Sequence, residues 1–129
     1  MTEKIYTVLV AEDENFQRLA LMDILGMCEY ETVLAENGLQ AMEQLNNEIN
    51  DFDLVLLDLY MPEMDGFEVL SLMKEDPRLS QIPVVVMSSD ESNDIIANCL
   101  RMGAANYLVK PVRLIQCKAL IAHMKIKVP

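Results

Sequence analysis

At 129 residues the chain has the length of a single domain, able to bury roughly two thirds of its unfolded surface and so to fold without staples. Apolar residues make up 52% and charged residues 24%, the balance of a soluble globular protein, and no apolar stretch approaches the ~20 residues a membrane span needs. A formal charge of −11 argues against binding nucleic acid, whose affinity rests on Lys and Arg neutralising phosphates.

The start, Met1 to Lys4, lacks the basic-then-apolar profile of a secretory signal, so the cytoplasm is the expected location. Cys28, Cys99 and Cys117 are odd in number and widely spaced, which fits buried reduced thiols rather than a disulfide framework or a CxxC metal site.

Tyr6 to Ala11 is a short, nearly continuous apolar run, the pattern of a strand covered on both faces. From Asn15 to Cys28 helical spacing recurs in Phe16, Leu19, Ala20, Ile24 and Met27, with Gln17 and Arg18 on the other face. Glu31 to Glu36 predicts a second strand, after which Asn37-Gly38 turns the chain. Leu39, Met42, Leu45 and Ile49 predict a helix ending near Asn50. Phe52 to Asp58 is the third strand, and Pro62 keeps the loop Met61 to Gly66 out of the ladder. Asp65 with Glu68 resembles a capping box for a helix through Lys74, stopped by Asp76-Pro77.

Ile82 to Met87 is the most strand-like run. Polar Ser88 to Asp94 follows, then a helix carrying Ile95, Ile96, Cys99 and Leu100, which Gly103 can terminate. Ala105 to Val109 is the fifth strand. A fifth helix runs from Leu114 to about Lys125 with Leu114, Cys117, Ile121 and Met124 on one stripe, and the basic end, Lys118 to Lys127, reads as its solvated face.

Strands alternating with helices call for a doubly wound α/β fold, a five-stranded parallel sheet covered on both faces by five helices. Ligands of such sheets bind outside the carboxyl ends of the strands, where the strand order reverses. Four apolar runs end there in polar groups: Glu12-Asp13, Asp58, Ser88-Ser89 and Lys110. Together they describe one pocket.

The motifs Val-Ala-Glu12-Asp13, Leu-Leu-Asp58-Leu-Tyr-Met-Pro62-Glu-Met-Asp-Gly66, Val-Met-Ser88-Ser89, Gly103-Ala-Ala-Asn-Tyr107 and Leu-Val-Lys110-Pro111 occur in order over about residues 5 to 125. In this set the chain resembles the receiver domains of two-component response regulators. The resemblance implies one flavodoxin-like receiver domain with strand order 2-1-3-4-5, spanning residues 1–129. It implies that Asp58 accepts a phosphoryl group from a sensor histidine kinase, a histidine phosphotransfer protein or a small phosphodonor.

Three converging carboxylates repel one another and ask for a hard cation, Mg2+ or Mn2+. The resemblance gives Asp13, Asp58 and the backbone carbonyl of Tyr60 as ligands, with Glu12 acting directly or through water. It gives Lys110 and Ser88 to the phosphoryl oxygens, Ser88 and Tyr107 to a conformational switch, and a cis peptide to Lys110-Pro111. A downstream effector would read the face made by the fourth helix, fifth strand and fifth helix. Tyr60 and Asp90, two residues beyond Asp58 and Ser88, are expected to modulate the lifetime of the acyl phosphate.

The chain is not expected to turn over an external substrate, only to catalyse its own phosphorylation and dephosphorylation. A receiver-like interaction module that is never phosphorylated is the alternative. An aspartyl phosphatase of the haloacid dehalogenase kind needs a second Asp two residues after the nucleophile, where Tyr60 stands, and no GxxxxGK[ST] loop is present.

Overall fold

The computed structural model describes residues 5–124; Met1 to Lys4 and the Lys125 to Lys127 part of the basic end lie outside the described residues. The elements alternate as β1 (Thr7–Ala11), α1 (Asn15–Met27), β2 (Glu31–Ala35), α2 (Gly38–Asn46), β3 (Leu54–Asp58), α3 (Gly66–Glu75), β4 (Val84–Ser88), α4 (Asn93–Arg101), β5 (Asn106–Val109) and α5 (Leu114–Ala119), with a 3-10 turn over Leu120–His123. The strands form one parallel sheet in the order β2-β1-β3-β4-β5. Pro83 has no amide to donate, and β4 begins just after it.

The central strands β3 and β4 are buried along their whole length, which is why their sequences are apolar without alternation. On one face Leu9, Val55, Leu57, Val84 and Val86 pack with Ala41, Leu45, Val69, Leu70, Met73 and Cys99 from α2, α3 and α4. On the other, Val8, Val10, Leu54, Leu56, Val85 and Met87 meet Leu21 and Leu25 of α1, Cys117 of α5 and Leu120. Each of these Val, Leu and Met side chains fully removed from water stabilises the fold by about 1.5–3 kcal/mol.

Three helices bury faces other than those read from the sequence. In α1 the buried residues are Arg18, Leu21 and Leu25, while Phe16 is 81% and Met27 67% exposed and Leu19 and Ala20 also face solvent. Apolar residues occupy more of this helix's circumference than the sheet can cover, so spacing alone offered two stripes. The stripe chosen includes Arg18 because its polar head lands among backbone carbonyls that accept its protons.

The α2 helix ends at Asn46, not near Asn50, and Ile49 is 87% exposed beyond it. Asn47 leaves the helical region, and the Asn50 side-chain amide donates to the Gln44 carbonyl at 2.9 Å, the kind of local bond that lets Asn end a helix. The α5 helix tightens into the 3-10 turn after Ala119, so the inward stripe is Cys117, Leu120 and Met124, with Ile121 and Leu114 partly exposed. Cys28 is half-buried rather than buried, and of Ile95, Ile96, Cys99 and Leu100 on α4 only Cys99 is fully buried.

Asp65 caps α3 by accepting from the Glu68 amide at 3.0 Å. Gly103, at φ 107°, ends the turn after α4 in a conformation that side chains disfavour.

Candidate functional site

The chain leaves β1, goes outward to β2 and returns across β1 to β3, so the strand order reverses between β1 and β3 and opens a crevice at their carboxyl ends. Register then fixes the neighbours: Ala11 pairs with Leu57, Asp58 with Met87 and Ser88 with Val109. One step beyond these pairs, Glu12, Asp58, Ser88 and Lys110 sit side by side along one edge. Glu12 and Ser88 are fully buried and Asp58 is 4% exposed, whereas Asp13 opens to solvent.

Carboxylate oxygens of Glu12, Asp13 and Asp58 lie within 4.8 Å of one another. The Lys110 ammonium reaches in from the end of β5, 2.6 Å from Glu12 Oε1 and 3.2 Å from Asp58 Oδ2. Burial raises the Glu12 carboxyl; the bond from Lys110 opposes that rise and the nearby Asp58 adds to it. Burial pulls the Lys110 ammonium down, but the contacts with Glu12 and Asp58 outweigh it and hold the group above its ordinary value. Three carboxylates against one ammonium leave two formal negative charges. An all-oxygen donor set with that surplus, partly open to water, fits a hard divalent cation.

Asp90 joins the loop after β4 to the rest of the site. Its amide donates to Ser88 Oγ at 3.1 Å and its carboxylate accepts the Tyr60 hydroxyl at 2.8 Å. Its carbonyl accepts the Tyr107 hydroxyl at 2.7 Å. Burial raises the half-buried Tyr107 phenol, and the Ser88 hydroxyl counteracts it. The Asp90 bond pushes the Tyr60 phenol up to about 12. The exposed Tyr60 ring also meets Phe67 edge to face, with centroids 6.1 Å apart. The Lys110-Pro111 peptide is cis.

The side chains of Glu12, Asp13, Asp58, Tyr60, Ser88, Asp90, Tyr107 and Lys110 thus meet at this one edge. Besides the contacts of Asp90 with Tyr60 and Tyr107, three features were not read from the sequence. Lys110 contacts Glu12 as well as Asp58. Gly66 presses against the strand end, where an added Cβ would stand 2.2 Å from the Asp58 carbonyl oxygen and 2.8 Å from the Leu59 Cα. Arg18 bonds the backbone of the acidic pair, and the spacing of 18, 21 and 25 was the available signal.

A family model described as the response regulator receiver domain matches residues 8–122. The two-component response regulator ORR11 of Oryza sativa subsp. indica is 39% identical over 106 residues, 82% of this chain and 71% of that protein. The two-component response regulator-like protein APRR9 of Arabidopsis thaliana is 34% identical over 124 residues, 96% of this chain; the chain spans only 26% of that relative's length. Among solved structures, the Mn(2+)-bound response regulator Rcp1 superposes with a TM-score of 0.80 at 26% identity, covering 96% of this chain and 99% of that one. The phosphorylated cyanobacterial phytochrome response regulator RcpA does so with 0.74 at 29% identity, covering 92% and 89%.

Proposed function

The chain belongs to the response regulator receiver family of two-component signalling, and from that membership we propose that Asp58 is the phosphoacceptor through which it signals. The observation that carries this reading is the buried Asp58 carboxylate at a strand exit, grouped with two further carboxylates and 3.2 Å from an ammonium. An Asp58 carboxylate oxygen attacks the phosphorus of a phosphohistidine, the P–N bond breaks, and the imidazole nitrogen keeps the electron pair. Water later cleaves the acyl phosphate, regenerating the carboxylate and releasing phosphate.

The Mn(2+)-bound relative and the oxygen donor set support Mg2+ or Mn2+ as cofactor, held by Asp13, Asp58, the Tyr60 carbonyl and Glu12. Such an ion supplies charge neutralisation at the phosphoryl oxygens. The protein's own part is positioning and electrostatics, which dominate phosphoryl transfer. Lys110 moves its charge from the carboxylates to a phosphoryl oxygen, and the Ser88 hydroxyl takes another. That shift draws on the Ser88, Asp90 and Tyr107 contacts, so the surface of α4, β5 and α5 changes for an effector.

The donor is a histidine kinase or phosphotransfer protein of the cytoplasm, and no external substrate is turned over. The pair formed by Tyr60 and Asp90 shields the acyl phosphate from water. An unchanged phosphoryl half-life in both Tyr60→Ala and Asp90→Ala would remove that role.

The central test is incubation with Mg2+ and a small acyl phosphate, followed by intact-mass measurement. One phosphoryl group is expected on the wild type and none on Asp58→Asn. No addition to the wild type would leave the chain as an interaction module alone, and equal addition to both would remove Asp58 as the acceptor.

A further inference from the structure

The buried stripe of α1 begins with a charge. The Arg18 side chain is 9% exposed, and its guanidinium turns back toward the loop that joins β1 to α1. Nη1 donates to the Glu12 carbonyl at 2.9 Å and to the Asp13 carbonyl at 3.3 Å, while Nη2 donates to Asn15 Oδ1 at 2.9 Å. Nη2 also lies 3.5 Å from Glu36 Oε1, an exposed partner that contributes little. One guanidinium nitrogen thus serves both carbonyls while the other, held in the same plane, is fixed by Asn15, a two-nitrogen geometry that a single lysine ammonium does not reproduce.

Those carbonyls belong to the residues that supply two of the three clustered carboxylates. The Glu12 amide is already tied to the Ala35 carbonyl at 3.1 Å, so with Arg18 in place the Glu12 backbone is bonded on both sides. The solvent-facing Asp13 side chain takes its direction from that same stretch of backbone. Other roles for Arg18 make different predictions. As core packing, it would affect stability without affecting affinity for a cation. As a nearby positive charge, it would repel a cation, and its removal would tighten binding.

We infer that Arg18 is a positioning residue for a divalent cation: by holding the Glu12 and Asp13 carbonyls it keeps their carboxylates converged with Asp58. The inference rests on the cluster being a cation site. The experiment measures Mn2+ binding through the electron paramagnetic resonance signal of the free ion, for wild type, Arg18→Met and Arg18→Lys. Thermal melts and amide hydrogen exchange of the metal-free proteins run alongside.

Folded Arg18→Met is expected to bind Mn2+ about 10–100-fold more weakly, the usual effect of losing a group that orients metal ligands. Amide exchange at Asp13 and Glu14 should rise, and Arg18→Lys should recover only part of the affinity. Equal or tighter Mn2+ binding by folded Arg18→Met overturns the inference. If that variant does not fold, Arg18→Lys with wild-type affinity overturns it. A wild type that binds no Mn2+ overturns the cation reading itself, and this inference with it.

Discussion

Replacing Lys110 with Met removes the ammonium from the acidic cluster while keeping most of the side chain's bulk. The native contacts, 2.6 Å to Glu12 and 3.2 Å to Asp58, each correspond to roughly 5–6 kcal/mol of attraction at an effective dielectric of about 20, before the cost of desolvation. Removing one partner of a buried pair typically costs about 3–5 kcal/mol. Glu12, however, can take up a proton. Protonating a carboxyl of ordinary value 4.5 at neutral pH costs about 3.5 kcal/mol, which caps the loss near that figure.

The pH dependence follows from the same proton. In the variant the folded state holds a proton on Glu12 that the unfolded chain has released, so stability falls as pH rises above about 4.5, by about 1.4 kcal/mol per unit. Wild-type Glu12 is already raised by burial, so the advantage of wild type over the variant is at most the variant's full loss. The Lys110 ammonium, held above its ordinary 10.5 by its partners despite burial, contributes fully from weakly acidic to neutral pH and is lost only as pH rises through its folded value. Urea unfolding in the presence of a chelator should therefore show a wild-type advantage of at most about 3.5 kcal/mol at about pH 7 that shrinks to about 1 or less near pH 5. A flat difference across that window, or one below about 1 kcal/mol at neutral pH, refutes the reasoning.

Gly66→Ala should cost about 1–3 kcal/mol and slow phosphorylation of Asp58, because its Cβ meets backbone 2.2 Å away that cannot swing aside; wild-type melts and labelling rates would mean the loop has room. In ultraviolet titration the Tyr60 phenol, pushed up to about 12, should fall toward 10 in Asp90→Ala, and an unmoved titration would show that the bond is not made in solution. With a thiol reagent at mildly alkaline pH, half-buried Cys28 should react first. Cys117, whose thiol burial pushes up to about 11, and buried Cys99 should react only on unfolding; three equal rates would contradict the core described above.

The strand ends were legible because a buried parallel strand must be apolar on both faces, so the first polar residue after each run marks where the chain reaches the sheet's edge. Glu12, Asp13, Asp58, Ser88 and Lys110 could be named on that ground, and the family resemblance added Tyr107. Lys110's partners could not be read, since Glu12 and Lys110 stand 98 residues apart and meet only through the order of β1 and β5 across the sheet. The bond between Tyr60 and Asp90 was hidden for the same reason, as it spans two loops that only the pairing of β3 with β4 brings together.

Arg18 is the instructive miss. Periodicity reports that a helix has an apolar side, and α1 has apolar residues on most of its surface, so an arginine was assigned to water and Phe16 to the core. The choice between stripes was made by the sheet, which offers a limited area and two carbonyls needing donors at one end of it. By itself, then, the sequence determined the element order, the layered architecture and the polar groups at the strand exits, because those follow from local pattern. Tertiary structure alone decided which helix faces are covered and which charges touch, because both depend on distances between segments that no local pattern encodes.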